Sequence, residues 1–185
     1  MKKTVFAVVA AVSFAMSASA HAELVNNGGF ETGDFTGWTN SGNLGFTLVQ
    51  ELPHSGRYSA NLGPVGSDGF LSQILATTSG QAYELSYFLQ TQGGTPNDFS
   101  VNVGGSNIFS QTDLSAMTYT KYAFNFIATS AQTQLTFGFR HDPSYFQLDD
   151  VSVAAVPEPA SMALLGLGLA GLAASRRKSS KIKSA

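Results

Sequence analysis

Cysteine is absent from the 185 residues, and basic side chains are almost absent from the middle of the chain. Without cysteine no disulfide can staple the fold, so an exported protein of this sequence must be held by its core, with or without a metal. Between residues 23 and 156 only Arg57, Lys121 and Arg140 face eleven carboxylates, a net charge of −8 that the whole-chain value of −2 conceals. Such a segment repels phosphate backbones, which excludes nucleic acid as a partner and leaves divalent cations open. Histidine is also scarce. Beyond the first 22 residues only His54 and His141 occur, far apart, and there is no H-E-x-x-H or G-x-S-x-G element. The carboxylates that a glycosidase would need, among them Glu51, Glu84 and Asp113, are not placed opposite one another by any pattern. Gly104-Gly105-Ser106 has no following lysine or helix, so it reads as a hairpin turn rather than a phosphate cradle. These absences predict a protein that is not an enzyme.

The two ends carry most of the positive charge and most of the continuous apolar sequence. Met1-Lys2-Lys3, the apolar run from Val5 to Met16 and the small residues up to Ala22 form the three regions of a secretory signal peptide, residues 1–22. This implies Sec-type export machinery and a signal peptidase. Two A-x-A sites compete, ending at Ala20 and at Ala22, and the second is favoured. Near the other end, Pro157 and Pro159 lack amide donors and push their predecessors out of the helical region, so the chain leaves its folded domain extended. Sixteen uncharged, largely apolar residues follow, Ala160 to Ser175. As a helix they would measure about 24 Å, the short limit for crossing a bilayer. Arg176, Arg177 and Lys178 would remain cytoplasmic, and residues 179–185 form a basic tail.

The order Pro157-Glu158-Pro159, apolar helix, Arg176-Arg177-Lys178 over residues 156–178 resembles the PEP-CTERM sorting signal of bacterial exported proteins. The resemblance implies an exosortase-like membrane enzyme that removes the tail. It also implies transient anchoring in the inner membrane by the C-terminal helix, with delivery to the cell surface or an extracellular, exopolysaccharide-associated matrix. The same tail occurs on proteins labelled ice-binding, but no repeated Thr-x-Thr ladder supports that activity here.

Residues 23–155 alternate with period two. Tyr83, Leu85, Tyr87 and Leu89, then Phe99, Val101 and Val103, then Tyr122, Phe124 and Phe126, then Leu135, Phe137 and Phe139 each place one set of side chains on one sheet face. Weaker runs lie at Gly45 to Gln50, Tyr58 to Leu62, Phe70 to Leu75 and Phe146 to Val153. Eight or nine strands with turn residues between them and no helical period predict one all-β domain, a β-sandwich or jelly roll.

Three stretches, Leu24 to Trp38 with its Asn-Gly-Gly-Phe-Glu opening, His54 to Ala60, and Phe146 to Val153, resemble in order and spacing the landmarks of jelly-roll carbohydrate-binding modules. The resemblance implies a structural Ca²⁺ site at Glu31 and Asp149, near the Ser55-Gly56 turn, because the first and last strands of such a fold meet and oxygen ligands suit calcium. Trp38 reads as a core anchor. Sugar binding needs aromatic faces beside amides or carboxylates, and the candidates are Tyr119, Tyr145 and Phe146 with Gln90, Gln92 and Asn97. Two functions stand side by side: a non-catalytic module for polysaccharide, or a matrix protein of envelope or biofilm without a specific ligand. An exposed aromatic strip on the concave sheet face would favour the first, a smooth polar face the second.

Overall fold

Period-two alternation becomes strands wherever one face has a core to meet. The computed structural model describes residues 22–142, 144–157 and 168, and among these ten strands occur. They are β1 (Thr39–Gly42), β2 (Thr47–Gln50), β3 (Ser59–Leu62), β4 (Gly69–Ala76), β5 (Ala82–Thr91), β6 (Asn97–Val103), β7 (Ser106–Thr112), β8 (Met117–Ile127), β9 (Gln132–His141) and β10 (Phe146–Ala155). Two five-stranded sheets form, with orders β1-β4-β9-β6-β7 and β2-β3-β10-β5-β8. All strand pairs are antiparallel.

The count exceeds the eight or nine expected, because β1 and β7 escape the periodicity. β1 reads Thr-Asn-Ser-Gly and is exposed throughout, while β7 is exposed at most positions. Both are edge strands, held by backbone pairing with β4 and β6 rather than by a buried face. Gly104 and Gly105, both with positive φ, make the β6–β7 hairpin turn.

Side chains from the two inner faces fill one core, and rings dominate it. Tyr87, Phe30, Phe99, Phe137, Phe139 and Phe146 are fully buried, each contributing about 1.5–3 kcal/mol through area removed from water. Trp38 is buried, stacks on Phe30 at 5.7 Å and donates its indole N–H to the Asn27 carbonyl. Leu24 N–H donates to the Val153 carbonyl and Val156 N–H to the Ala82 carbonyl, which ties both chain ends to the second sheet. Among the described residues every strand and the whole core cluster lie within residues 23–155, so this segment holds what it needs to fold by itself.

Among the described residues no helix is long and apolar enough to cross a membrane. Residues 1–21 of the expected signal peptide lie outside the described residues, as do Glu158, Pro159, the apolar segment apart from residue 168, and Arg176 to Lys178. Pro157 is described and exposed, the last residue of the chain leaving β10.

Candidate functional site

The inner face of β4, β9 and β6 takes Leu71, Leu75, Leu135, Phe137, Phe139, Phe99 and Val101, so by the strand period their neighbours stand on the outer face of the first sheet. Register sorts those neighbours into rows. Phe70, Gly138, Ser100 and Ser110 form one; Ser72, Thr136, Asn102 and Asn107 form the next. Phe70 is the single aromatic ring in these rows, and it is half-buried.

A glycine explains how that ring sits. A Cβ on Gly138 would stand 2.7 Å from Ser100 Oγ and 3.1 Å from Phe70 Cε1, and one on Gly42 would stand 2.8 Å from Phe70 Cδ2. The ring therefore bridges from β9 across β4 to β1, low against the sheet, over two positions without side chains. Around it lie hydroxyls and amides, and at one end a charged row. Asp98 pairs in register with Arg140. Arg140 donates through Nε to Asp142 Oδ1 at 2.8 Å and through its terminal nitrogen to Asp142 Oδ2. That bond, helped by the Gly66 N–H, holds the Asp142 carboxyl down at about 2, while burial raises that of Asp98. Aromatic surface beside hydroxyls, amides and an ion pair suits a ligand with hydroxyl groups and apolar ring faces.

The expected sugar residues divide. Gln90 pairs with Gln147, which pairs with Asn61, so an amide row crosses the second sheet on its outer side, but Gln147 and Asn61 are buried there, the first donating to the second. Gln90 and Gln92 border a shallow cavity of about 290 Å³ with Met117 and Thr118. Tyr119 donates its hydroxyl to the Leu52 carbonyl at 2.7 Å, and burial pushes that hydroxyl up to about 12. Tyr145 lines a different cavity, at the end of the sandwich.

Two candidates leave the surface altogether. Phe146 is fully buried against Phe99 and His141. Asn97 is buried and clamps the Gly94 carbonyl and both backbone groups of Leu114. Both lie at strand starts, where the sequence pattern does not tell the inner face from the outer. The residues that sequence reasoning passed over are Phe70, Gly138, Ser100 and Arg140. The available signal was phase: Phe70 is out of step with Leu71 and Leu75, so it belongs to the opposite face.

Glu31 and Asp149 reach the same loop, the connection between β2 and β3, and meet amide groups there. Glu31 accepts from the N–H groups of Arg57 and Tyr58, and Asp149 Oδ2 from those of His54 and Ser55. Asp150 holds the Ser55 hydroxyl and His54 Nδ1, and the His54 ring stacks on Phe88 at 3.5 Å. The loop is thus strapped over the outer face of the second sheet. Burial raises the Asp149 carboxyl to about 6 in spite of its three backbone N–H bonds. These oxygens are directed at N–H dipoles, and among the described residues no three His, Cys, Asp or Glu side chains gather into a metal-holding group. A cation would have to displace the amides, so in this arrangement the donor set does not fit Ca²⁺.

Comparison with known proteins agrees with this architecture. The family model described as "Protein of unknown function (DUF642)" matches residues 27–154, and the PEP-CTERM protein-sorting motif matches residues 155–178. No curated protein matches the sequence significantly. Among solved structures, TmCBM61 in complex with β-1,4-galactotriose superposes with a TM-score of 0.61 at 19% identity, over 73% of this chain and 99% of that one. The CBM22-1 xylan-binding domain of Paenibacillus barcinonensis Xyn10C gives 0.57 at 18%, over 77% and 100%. The K3 cleaved adhesin domain of Lys-gingipain from Porphyromonas gingivalis gives 0.56 at 14%, over 72% and 98%. At these identities the likeness is one of fold.

Proposed function

This chain belongs to the DUF642 family and ends in a PEP-CTERM protein-sorting motif, and from that premise we propose that it is an exported, exosortase-sorted protein of the cell surface or extracellular matrix. Its sandwich binds polysaccharide without catalysis, through the outer face of the sheet β1-β4-β9-β6-β7. The observation that carries this reading is the Phe70 ring, one ring rather than a strip, seated over Gly138 and Gly42 in two rows otherwise built of serine, threonine and asparagine, with the exposed Ile74 beyond them. A sugar ring stacks its apolar face on the aromatic ring, and the flanking hydroxyls, amides and the Arg140–Asp142 pair read its hydroxyl groups. The carbohydrate-binding modules among the structural neighbours support this reading, since their chains are covered almost end to end. Export through a Sec-type route, transient inner-membrane anchoring by residues 160–175 and removal of the tail belong to the same proposal.

Retention of residues 23–157 on immobilised polysaccharides tests it. The expected result is saturable retention on one glycan class, weakened about tenfold by Phe70→Ala, equivalent to about 1.4 kcal/mol, in a variant whose melting curve stays cooperative. Retention by none of the glycans, including the host's own exopolysaccharide, would leave the structural-matrix reading as the better one.

A further inference from the structure

The inward-facing set of β9 runs Leu135, Phe137, Phe139 and ends on His141, so a polar ring closes the core at one end of the sandwich. His141 is fully buried, packs against Phe146 at 4.8 Å, and shares a 2.9 Å hydrogen bond between Nε2 and Thr91 Oγ1. Its other ring nitrogen, Nδ1, has no partner among the described residues. A buried polar atom left unpaired costs about 1–3 kcal/mol, and in a native fold such a group calls for a cause. Burial also lowers the affinity of this imidazole for a second proton, so the ring is neutral at pH 7 and suits an uncharged partner.

His141 borders a cavity of about 130 Å³ whose other walls include Phe46, Val65, Asp142, Ser144 and Tyr145. That is below the roughly 300–1,000 Å³ of pockets for drug-sized ligands, so it takes at most one ring, seated partly outside it. The two aromatic walls are set with care for position. Tyr145 lies so close over Gly63 that a Cβ there would be 2.5 Å from its Cδ1. Phe46 is 63% exposed and adopts φ of +58°, a left-handed conformation that a bulky residue reaches only under strain. Its carbonyl accepts the Gly63 N–H, which fixes Phe46 beside the tyrosine. An exposed ring held in a strained backbone beside an orphaned buried nitrogen has no part in the core packing.

We infer that this cavity is a second ligand site, for a single neutral pyranose ring, free or at the end of a glycan chain. The ring is held between Phe46 and Tyr145 and read by Ser144, with one hydroxyl entering the enclosed space at His141 Nδ1. The inference stands apart from the Phe70 face. The topology gives the site its reach: β10 starts beside the cavity at Phe146 and ends at Ala155, just before the exit at Pro157. Ten residues of strand span about 30 Å, so the cavity lies at the end of the domain opposite the exit at Pro157. A protein tethered by the sorting signal presents this end outward, where chain ends are met.

The test uses residues 23–157, in which His54 and His141 are the only histidines. Imidazole nitrogen NMR signals are followed while glucose, galactose, mannose, xylose and N-acetylglucosamine, and the disaccharides of each, are added into the millimolar range. One sugar should move the His141 signal saturably and leave that of His54 in place. Phe46→Ala and Tyr145→Ala should each weaken that response about tenfold, and Phe70→Ala should leave it unchanged. Equal affinity for the monosaccharide and its disaccharide would show that the end ring alone is bound, and binding of the monosaccharide only would show that chain ends are excluded. If no sugar moves the His141 signal, or if Phe70→Ala abolishes the response, the second site is wrong. Polysaccharide retention that survives Tyr145→Ala would leave the Phe70 face standing by itself, and a His141 response in a domain that no polysaccharide retains would do the reverse.

Discussion

His141 is where pH should act on this domain. Its folded pKa is depressed by burial, only partly offset by the nearby Asp142 carboxylate, whereas in the unfolded chain it titrates near 6.5. The unfolded chain therefore takes up a proton first on acidification. The stability contributed by the neutral ring is present above pH 6.5 and is lost as pH falls below it, through the folded pKa. Asp149 works in the opposite sense over part of the same range. Its carboxyl is raised to about 6, so its contribution is present at low pH and lost as pH rises through 6. The two are separated by His141→Gln, which removes one titration and keeps the other. Between pH 7 and 5 the melting temperature of the parent domain should fall relative to that of the variant; parallel curves would mean that His141 stays solvated. Residue roles of this kind were half-legible in the sequence. Phe70 could be assigned to an outer face from its phase against Leu71 and Leu75, but nothing in the one-dimensional pattern says that Gly138 lies beneath it, because that contact joins positions 68 apart. Phe146 and Asn97 were misread for the converse reason. At a strand start the phase is not yet set, and the core rather than the loop claimed both.

At the scale of elements, the loop between β2 and β3 shows how a correct convergence can carry a different chemistry. The sequence landmarks bring Glu31, Asp149 and the Ser55-Gly56 turn into one neighbourhood, and in the structure both carboxylates do contact that loop. What they meet is backbone N–H, a detail that depends on which way each peptide plane faces and that residue types do not encode. Glu31→Ala should accordingly free the amides of Arg57 and Tyr58 and cost about 1 kcal/mol, a fall of roughly 3–5 °C in a domain of this size. Hydrogen exchange should accelerate at residues 54–58 and not in the sheets. The amide-held loop also predicts that chelator and millimolar Ca²⁺ give the same melting temperature. A rise of several degrees with Ca²⁺, lost in Glu31→Ala, would show that the carboxylates turn from the amides to the ion, as the resemblance to carbohydrate-binding modules implies. The strands were the more legible elements. Those with a buried face announced themselves by alternation, and β1 and β7 did not, because an edge held only by its backbone leaves no apolar phase to read.

For the whole molecule, charge decides which polysaccharides are reachable. Seven of the ten basic residues lie in the two ends, and the segment between them carries −8. On the face proposed to bind glycan, the one guanidinium of the central rows, Arg140, is already engaged by Asp142 and flanked by Asp98, so no free cation waits there for an acidic sugar. An anionic glycan thus meets a repulsive field at long range and no counter-charge at contact, whereas a neutral glycan meets neither penalty. Retention on neutral gels such as xylan or galactan should therefore change little with salt. Retention on polygalacturonate should be weak at low ionic strength and improve as the Debye length shrinks from about 30 Å at 0.01 M to about 8 Å at 0.15 M. Stronger retention on the anionic gel at low salt would contradict this account of the face, because it would require a basic contact that this face does not offer. The sorting tail does not enter the comparison: residues 23–157 stop short of its cations in sequence, and the domain's own field is what an approaching glycan encounters.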